Sequence, residues 1–278
     1  MTAARARAER RSRRAALLVA ALVCGPLLAE GARDAGHPHR APEGAAFTFV
    51  RVEYDSTGGY GESFYFYDGR YWLRWETDFP QADRNFLHRF RELTTTDPHM
   101  EAVTRRLTDR DIFEYPFLYM CDVGWMELTV AEGERLRDYL LKGGFVWIDD
   151  FWGTAEWRNL ESVFARVFPD RRWQDITAGH PILSTVFPLA AAPQVPARDF
   201  AYLGRDEAWV HRYPAEPLTP VNLRGIFDDD GRLMAVATHN TDIGDGFERE
   251  AYGEEYFETY STVAYAMGVN IVVYALSH

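Results

Sequence analysis

The segment Gly143–Gly153 has the sequence GGFVWIDDFWG. Its two leading glycines favour a turn, and the apolar run Phe145–Ile148 predicts a buried strand that ends at two adjacent carboxylates, Asp149 and Asp150. In an open α/β sheet, ligands bind beyond the carboxyl ends of the strands. The segment therefore predicts a strand inside a sheet and places a candidate site at the end of that strand.

Strand and helix patterns alternate on both sides of this segment. The apolar run Pro116–Cys121 predicts a strand, and Thr129 with Glu132 has the spacing of a capping box at a helix start. After the segment, apolar residues between Leu160 and Val167 fall at helical spacing. This alternation predicts the α/β class, with a mostly parallel central sheet flanked by helices.

The C-terminal half predicts an added antiparallel β region. Asp230-Gly231 lies between two apolar runs, which is a hairpin signal. The predicted strands are Gly179–Leu183, Val210–Tyr213, Gly225–Phe227 and Leu233–His239. The chain is predicted to close with a helix over Tyr256–Met267, a stop at Gly268 and a final strand over Val269–Ala275.

The first 31 residues are predicted to be an export signal. Six arginines precede an apolar stretch, Ala15–Ala29, that is too short to span a bilayer, for which about 20 residues are needed. Ser12–Leu17 resembles a twin-arginine export signal. We therefore expect a signal peptide over 1–31, a Pro/Gly/Ala-rich linker over 32–46, and a single α/β domain over 47–278. The expected location is periplasmic or extracellular, or at the membrane if the segment stays uncleaved as an anchor.

Charge and cysteine content exclude some function classes. Removing residues 1–31, with six Arg against two Glu, takes the formal net charge from −12 to −16. Such acidity argues against a nucleic-acid partner, because phosphates require a basic surface. Cys121 is then the one remaining cysteine, so no intrachain disulfide is expected.

Several short motifs occur in a specific order along the chain. They are Phe49–Tyr54, Asp78-Phe79-Pro80 with Arg84-Asn85, Tyr115–Met120, Gly143–Gly153, His180-Pro181-Ile182, Asn240–Asp245 and Gly268-Val269-Asn270. Together they resemble the bacterial family known as domain of unknown function 4159, over Phe47–His278. The resemblance implies a glutamine amidotransferase-like (flavodoxin-like) fold, similar also to ThuA-like sugar proteins. It implies no activity, because the family has none established.

The sequence departs from the amidotransferases at the nucleophile. In that family, a cysteine lies on a tight turn after the central strand, with a His-Glu pair downstream. Here the corresponding strand ends in Asp149-Asp150-Phe151, and Cys121 ends the preceding strand. Amidotransferase activity is therefore not expected.

The strand end offers three candidate ligand-binding residues. One of Asp149 and Asp150 can face a ligand while the other caps the next helix, because neighbouring strand residues point to opposite faces. Trp152 follows the strand and is a candidate platform for a sugar ring. Most other tryptophans, Trp147 above all, are expected in the core.

Two further motifs carry candidate ligands. His180, before Pro181, can line the cleft as a ligand or proton carrier, or can be a hydrogen-bonded loop residue. Asn240, Asp242 and Asp245 surround Gly244 in a pattern that suits a hard cation such as Ca²⁺. The same side chains can instead bond their own backbone in a tight turn.

These observations leave three functional hypotheses. The first is an exported domain that binds a polar small molecule or a partner protein beside Asp149 and Asp150, with no cofactor required. The second is a hydrolase or sugar-modifying enzyme that uses Asp150, His180 and Asp242 or Asp245, with a divalent cation in some versions. The third is a component of a membrane-associated assembly, held by the N-terminal segment.

Overall fold

The computed structural model describes residues 46–197 and 220–278. The predicted signal segment, nearly all of the predicted linker, and the predicted strand Val210–Tyr213 lie outside these ranges. The strands are β1 Val50–Glu53, β2 Asp55–Ser56, β3 Phe64–Tyr67, β4 Arg70–Leu73, β5 Val103–Arg106, β6 Phe117–Cys121, β7 Met126–Glu127, β8 Phe145–Phe151, β9 Gln174–Asp175, β10 Asn222–Phe227 and β11 Leu233–His239.

The helices alternate with these strands. They are α1 Gln81–Leu93, α2 Val130–Leu141, α3 Gly153–Val167, α4 Ile243–Glu248, α5 Glu254–Tyr256 and α6 Thr262–Ser277. A π-helical segment, Phe257–Ser261, joins α5 to α6. The predicted capping box is confirmed at α2, where the Thr129 hydroxyl accepts a hydrogen bond from the Glu132 amide and the Glu132 carboxylate accepts one from the Thr129 amide.

The central sheet has seven strands in the order β5-β1-β6-β8-β11-β10-β9. The first five are parallel, and counted along the chain they run 2-1-3-4-5, the order of flavodoxin-like sheets. β10 pairs antiparallel with β11 and with β9. The predicted class, a mostly parallel sheet with an antiparallel addition, is thus confirmed. The narrower amidotransferase-like assignment stays a prediction.

The alternating side chains of β8 pack against the helices on each side of the sheet. Phe145 and Trp147 belong to one buried cluster, which includes α1, α4 and α6. Val146 and Ile148 belong to the other, which includes α2 and α3. Because both faces of the strand are covered, its sequence is continuously apolar rather than alternating. The strand lies in the middle of the sheet, as its sequence predicts.

The predicted final strand, Val269–Ala275, is wrong. These residues belong to α6, which continues through Gly268 without a stop. A β-carbon on Gly268 would lie 2.7 Å from Phe247 and 2.8 Å from Phe86, so this glycine permits close packing of α6 on its neighbours. Burial of the β-branched residues in the core outweighs their weak helix propensity.

A second predicted strand of the C-terminal half is also absent from the structure of the described residues. The predicted strand Gly179–Leu183 is wrong, because Pro181–Leu183 forms one 3₁₀ turn.

The helical stretch Glu254–Ser277 has a length and mean hydropathy (1.2) that would allow it to cross a membrane, yet 56% of its apolar window is buried within the protein. A core helix has the same properties, so this stretch is weak evidence for a membrane span.

Candidate functional site

The carboxyl edge of the parallel sheet carries a group of aspartates, which we call the acidic cluster. Its members are Asp78, Asp122, Asp149, Asp150, Asp242 and Asp245. Three neighbouring strands, β6, β8 and β11, each end at this edge, and the loop before α1 reaches the same place. All but Asp78 are at least nine-tenths buried. The predicted position of the site, beside the end of β8, agrees with this arrangement.

Left-handed backbone conformations turn the chain sharply at this edge. Asp122, Asp150 and Asn240 follow or end their strands with φ of 55°, 53° and 63°, and Asp78 has φ of 63°. Asp and Asn adopt this conformation more readily than other residues with a β-carbon. Such strained residues concentrate at functional sites. Their presence at one edge supports a site here, although strain alone does not identify its ligand.

A β-bulge brings Asp149 and Asp150 to the same edge. Ile148 pairs with Ala237 and Phe151 with His239, so two residues of β8 face one residue of β11. The bulge removes the strict alternation that would send neighbouring carboxylates to opposite faces. The strand is also longer than predicted, since it continues to Phe151 instead of ending at Ile148.

Asp149 is occupied entirely by structural hydrogen bonds. Its Oδ1 accepts from the Thr238 hydroxyl, and its Oδ2 accepts from the Tyr119 hydroxyl at 3.2 Å and the Gly244 amide at 3.0 Å. Burial raises the pKa of Asp149 to about 7, although the Thr238 hydrogen bond opposes this shift. Asp149 therefore connects β6, β11 and α4, and it does not cap α3.

Trp152 orients Asp150. The indole Nε1 of Trp152 donates to Asp150 Oδ1 at 2.8 Å. Trp152 is only 1% exposed, so it cannot be the exposed sugar platform that its position after the strand predicts. Neither aspartate caps α3; instead, the Glu156 carboxylate accepts from the Trp152 amide at 2.6 Å. One carboxylate oxygen of Asp150 lies within 4.8 Å of ligand atoms of Asp78 and Cys121.

Asp242 and Asp245 lie at the start of α4. Asp242 Oδ1 accepts from the Asp245 amide at 2.7 Å, so Asp242 forms the predicted bond to its own backbone and caps α4. Asp245 Oδ1 accepts from Arg249 Nε at 2.6 Å. Burial raises the pKa of Asp245 to about 8, against the attraction of Arg249. Burial, and then the charges of Asp150 and Asp245, raise the pKa of Asp242 well above its usual range.

Asp78 comes from a loop that Arg51 holds in place. Arg51 Nη1 donates to the Thr77 carbonyl at 2.6 Å, while the Thr77 hydroxyl donates to Asp122 Oδ2 at 3.0 Å. Asp122 Oδ2 also accepts from Arg74 Nη1 at 2.6 Å. Burial raises the pKa of Asp122 to about 7, despite the attraction of Arg74. Asp122 is thereby paired, and the same contacts fix the loop that carries Asp78.

Asp78 Oδ2 is a buried oxygen without a hydrogen-bond partner among the described residues. A β-carbon on Gly244 would lie 3.0 Å from this oxygen and 3.4 Å from Asp242 Oδ1, so both oxygens face the space above Gly244. Burial, followed by the charges of Asp245, Glu248 and Asp150, raises the pKa of Asp78 well above its usual range. An acceptor in this position favours a proton or a cation.

Two sets of side chains in the cluster have the spacing of metal ligands. One set is Asp78, Asp242 and Asp245; the other is Asp78, Cys121 and Asp150. Within each set, one ligand atom per residue lies within 4.8 Å of the others. Carboxylate oxygens are the usual ligands of Mg²⁺, Ca²⁺ and Mn²⁺. The first set therefore fits a hard divalent cation.

Two of the predicted site residues have other roles. Asn240 Oδ1 accepts from the Gly153 amide at 2.9 Å, and its Nδ2 donates to the Pro220 carbonyl at 3.0 Å, so Asn240 connects chain segments. His180 Nδ1 accepts from the Ile182 amide, and its ring lies tilted 5.6 Å from the ring of Tyr274, which in turn lies 6.3 Å from Phe145. Since Phe145 begins β8, His180 lies at the opposite end of the strand from the cluster.

Three residues of the site, Asp78, Asp122 and Cys121, are not among those that the sequence predicts. Asp78 carries only a weak signal, as part of the motif Asp78-Phe79-Pro80, which is far along the chain from the predicted strand ends. Asp122 and Cys121 do have a positional signal, because they end β6, the parallel neighbour of β8. The strand-end rule, applied to both strands, includes them.

One known protein family matches this chain over most of its described length. The model of the family described as domain of unknown function (DUF4159) matches residues 49–276. A comparison with curated proteins finds no match. The chain belongs to the domain of unknown function 4159 family, as the order of its motifs predicts.

Proposed function

We propose that this member of the domain of unknown function 4159 family is a binding domain whose function depends on a divalent cation held by Asp78, Asp242 and Asp245. The observation that carries the proposal is the buried, unpartnered Oδ2 of Asp78 beside Asp242 Oδ1. A buried acceptor left without a partner costs about 1–3 kcal/mol, and more if it is charged. A cation between these oxygens removes that cost.

The charge balance of the cluster supports the same proposal. Asp122 pairs with Arg74 and Asp245 with Arg249, whereas Asp78, Asp150 and Asp242 have no ion pair among the described residues. Buried carboxylates that lack a partner either remain protonated or bind a cation. The raised pKa values of Asp78 and Asp242 are consistent with either outcome. At neutral pH, a divalent cation competes directly with these protons.

The residues around Cys121 favour a binding function over amidotransferase chemistry. Cys121 ends β6 and is 1% exposed, whereas a nucleophile must reach its substrate. Burial, and then the charge of Asp78, raises the pKa of the Cys121 thiol well above its usual range, which disfavours the reactive thiolate. The alternative hydrolase with His180 as proton carrier is not favoured, because His180 lies at the other end of β8.

Thermal unfolding with and without Mg²⁺, Ca²⁺ or Mn²⁺ tests the proposal, because a ligand that binds only the folded state raises the melting temperature. We expect at least one of these ions to stabilise the wild-type protein at pH 7.5, and Asp242→Asn to abolish most of the shift. Asn replaces Asp as a helix cap at little cost, so this variant should fold.

Asp138→Asn is the matched control. The side chain of Asp138 is 60% exposed on α2 and pairs with Lys142 one turn away, so its variant should keep the full cation shift. Equal shifts in wild type and Asp242→Asn, or no shift with any of the three ions, would contradict the proposed site.

The cellular location of the protein and the class of its binding partner are a further part of the proposal. The basic and apolar N-terminal segment supports export, to the periplasm or outside the cell, and the acidity of the chain supports a polar small molecule or a protein as partner rather than a nucleic acid. Fractionation of the native host cells, with mass spectrometry of the N-terminus, tests the location. An intact Met1 in the cytosolic fraction would contradict export.

A further inference from the structure

We infer that the acidic cluster holds a second divalent cation, bound by Asp78, Cys121 and Asp150, so that Asp78 bridges two cations. This inference rests on the proposed function, since the first cation is the one held by Asp78, Asp242 and Asp245. Its basis is the ligand geometry, the unpartnered oxygen of Asp78 and the charge of the cluster.

The two ligand sets share one residue. Asp78 belongs to both, and the three ligand atoms in each set lie within 4.8 Å of one another. A carboxylate has two oxygens and can therefore bridge two ions. In two-metal sites the ions lie about 3.5–4 Å apart. The loop of Asp78 is fixed for this purpose by Arg51 and by the contact of Thr77 with Asp122.

A buried oxygen without a hydrogen-bond partner also supports a ligand here. Asp78 Oδ2 is buried and accepts no hydrogen bond from any described residue, although Tyr119 and the Gly244 amide donate nearby to Asp149. The neighbouring donors are therefore used by another acceptor. The oxygen is directed into the cluster, where a β-carbon on Gly244 would touch it.

One cation does not balance the cluster. The two ligand sets contain four carboxylates, and Arg249 is the one cation within residues 46–197 and 220–278 that forms an ion pair with any of them. Four negative charges, one arginine and one divalent cation leave a net negative charge in a buried site. Because buried unbalanced charge is costly, a second cation is favoured whenever all four carboxylates are ionised.

The second position differs from the first in its ligands. It includes the sulfur of Cys121, a softer ligand than oxygen, so it should accept Mn²⁺, Co²⁺ or Zn²⁺ better than Mg²⁺. A thiol loses its proton when it coordinates a metal, and that proton passes to the solvent. Trp152 fixes the orientation of the Asp150 carboxylate through the 2.8 Å hydrogen bond to Oδ1.

The stoichiometry of Mn²⁺ binding, measured by equilibrium dialysis and elemental analysis, tests this inference separately from the proposed function. We expect two Mn²⁺ per chain in wild type and one in Asp150→Asn. Asn tolerates the left-handed conformation of residue 150 and can still accept from Trp152, so the variant should fold. One Mn²⁺ in wild type would overturn the second position and leave the proposed function intact. No bound Mn²⁺ would overturn both.

Co²⁺ provides a second readout that does not depend on Asp150→Asn. A cobalt–thiolate bond absorbs in the near ultraviolet by charge transfer, so we expect this band in wild type and in Asp138→Asn. Cys121→Ser should lose the band and retain one bound Co²⁺. Two bound Co²⁺ without the band in wild type, or an unchanged band in Cys121→Ser, would overturn the assignment of Cys121 as a ligand.

Discussion

Two groups of buried charges lie near each other in this protein, and they differ in how they are balanced. Arg51 and Asp83 form a fully buried pair, in which Nε and Nη2 of Arg51 donate to the two oxygens of Asp83 at 3.1 and 2.9 Å. The ring of Tyr119 lies 5.0 Å from the same guanidinium. The acidic cluster, in contrast, has more buried carboxylates than cations among the described residues.

This difference distinguishes buried charges that stabilise the fold from buried charges that can bind a ligand. In the Arg51–Asp83 pair every charge is met within the protein, so the pair connects β1 to α1 without an external partner. In the cluster, Asp149 and Asp122 are satisfied internally, but Asp78 Oδ2 is not. Buried charges of the first kind are expected to respond to mutation, and those of the second kind to pH and cations.

The largest expected effect comes from breaking the balanced pair. Arg51→Met leaves Asp83 buried without its partner, so the free energy of unfolding should fall by roughly 3–5 kcal/mol, with or without divalent cations. Urea denaturation at pH 7 measures the loss. The double variant Arg51→Met/Asp83→Leu should recover part of it, because no unpaired charge remains. A loss of stability that added cation fully reverses would show that this pair and the cluster are not distinct.

The next effect is the pH dependence of stability that the raised pKa values in the acidic cluster cause. Asp122 and Asp149, with pKa near 7, and Asp245, with pKa near 8, hold protons in the folded protein. The same aspartates in the unfolded chain have the ordinary pKa of 3.8 and release those protons above it. The folded state thus binds more protons, and stability falls as pH rises from about 4 to about 8. The total should be on the order of several kcal/mol in cation-free protein.

Chelator-treated protein, unfolded in urea at a series of pH values, measures this dependence. Asp138→Asn should show the same slope, because this exposed side chain lies outside the titrating cluster. Stability that is constant or rising between pH 5 and 8 would contradict the raised pKa values of these three buried carboxylates.

Replacing His180 should have the smallest effect. The imidazole contacts Ile182 and Tyr274 at the opposite end of β8 from the cluster. His180→Gln should therefore change the affinity for Mn²⁺ by less than about twofold, or ~0.4 kcal/mol. Isothermal titration at pH 7.5 measures it. A loss of tenfold or more would place His180 within the reach of the site and revive the hypothesis of a proton carrier.

Much of the fold is predictable because local signals agree with it. The capping box, the turn at Gly143 and the apolar strand Phe145–Ile148 all indicate a helix followed by a central strand, and the structure has both. The error at Val269–Ala275 has a physical origin. A β-branched run after glycine favours a strand locally, but packing of Gly268 against Phe86 and Phe247 retains the helix, and no local pattern reports such a contact.

The site is predictable only in part, for a related reason. Asp149 and Asp150 lie near the end of β8, and Asp242 and Asp245 lie shortly after β11. Because parallel strands end at one edge of a sheet, the proximity of these aspartates follows from topology. The separate role of each aspartate does not follow from topology. The Asp149 carboxylate accepts three hydrogen bonds from within the protein. The bulge that reorients Asp150 depends on the pairing of β8 with β11.

Asp78 shows the limit of the strand-end rule. It lies in a loop before α1, and its place in the cluster is set by Arg51 and Asp122, which are distant from it along the chain. Trp152 and His180 show the reverse, because both occur in suggestive sequence motifs, yet Trp152 is buried and His180 lies near the start of β8, away from the acidic cluster.

The location of a bound ion tests the central claim most directly. Crystals grown with MnCl₂ should give an anomalous difference peak about 2.0–2.6 Å from oxygens of Asp78, Asp242 and Asp245, within the range of hard-cation bonds to oxygen. Asp242→Asn crystals should lose it. A strong peak elsewhere on the protein, with none in the acidic cluster, would contradict the claim that this edge of the sheet is a cation site.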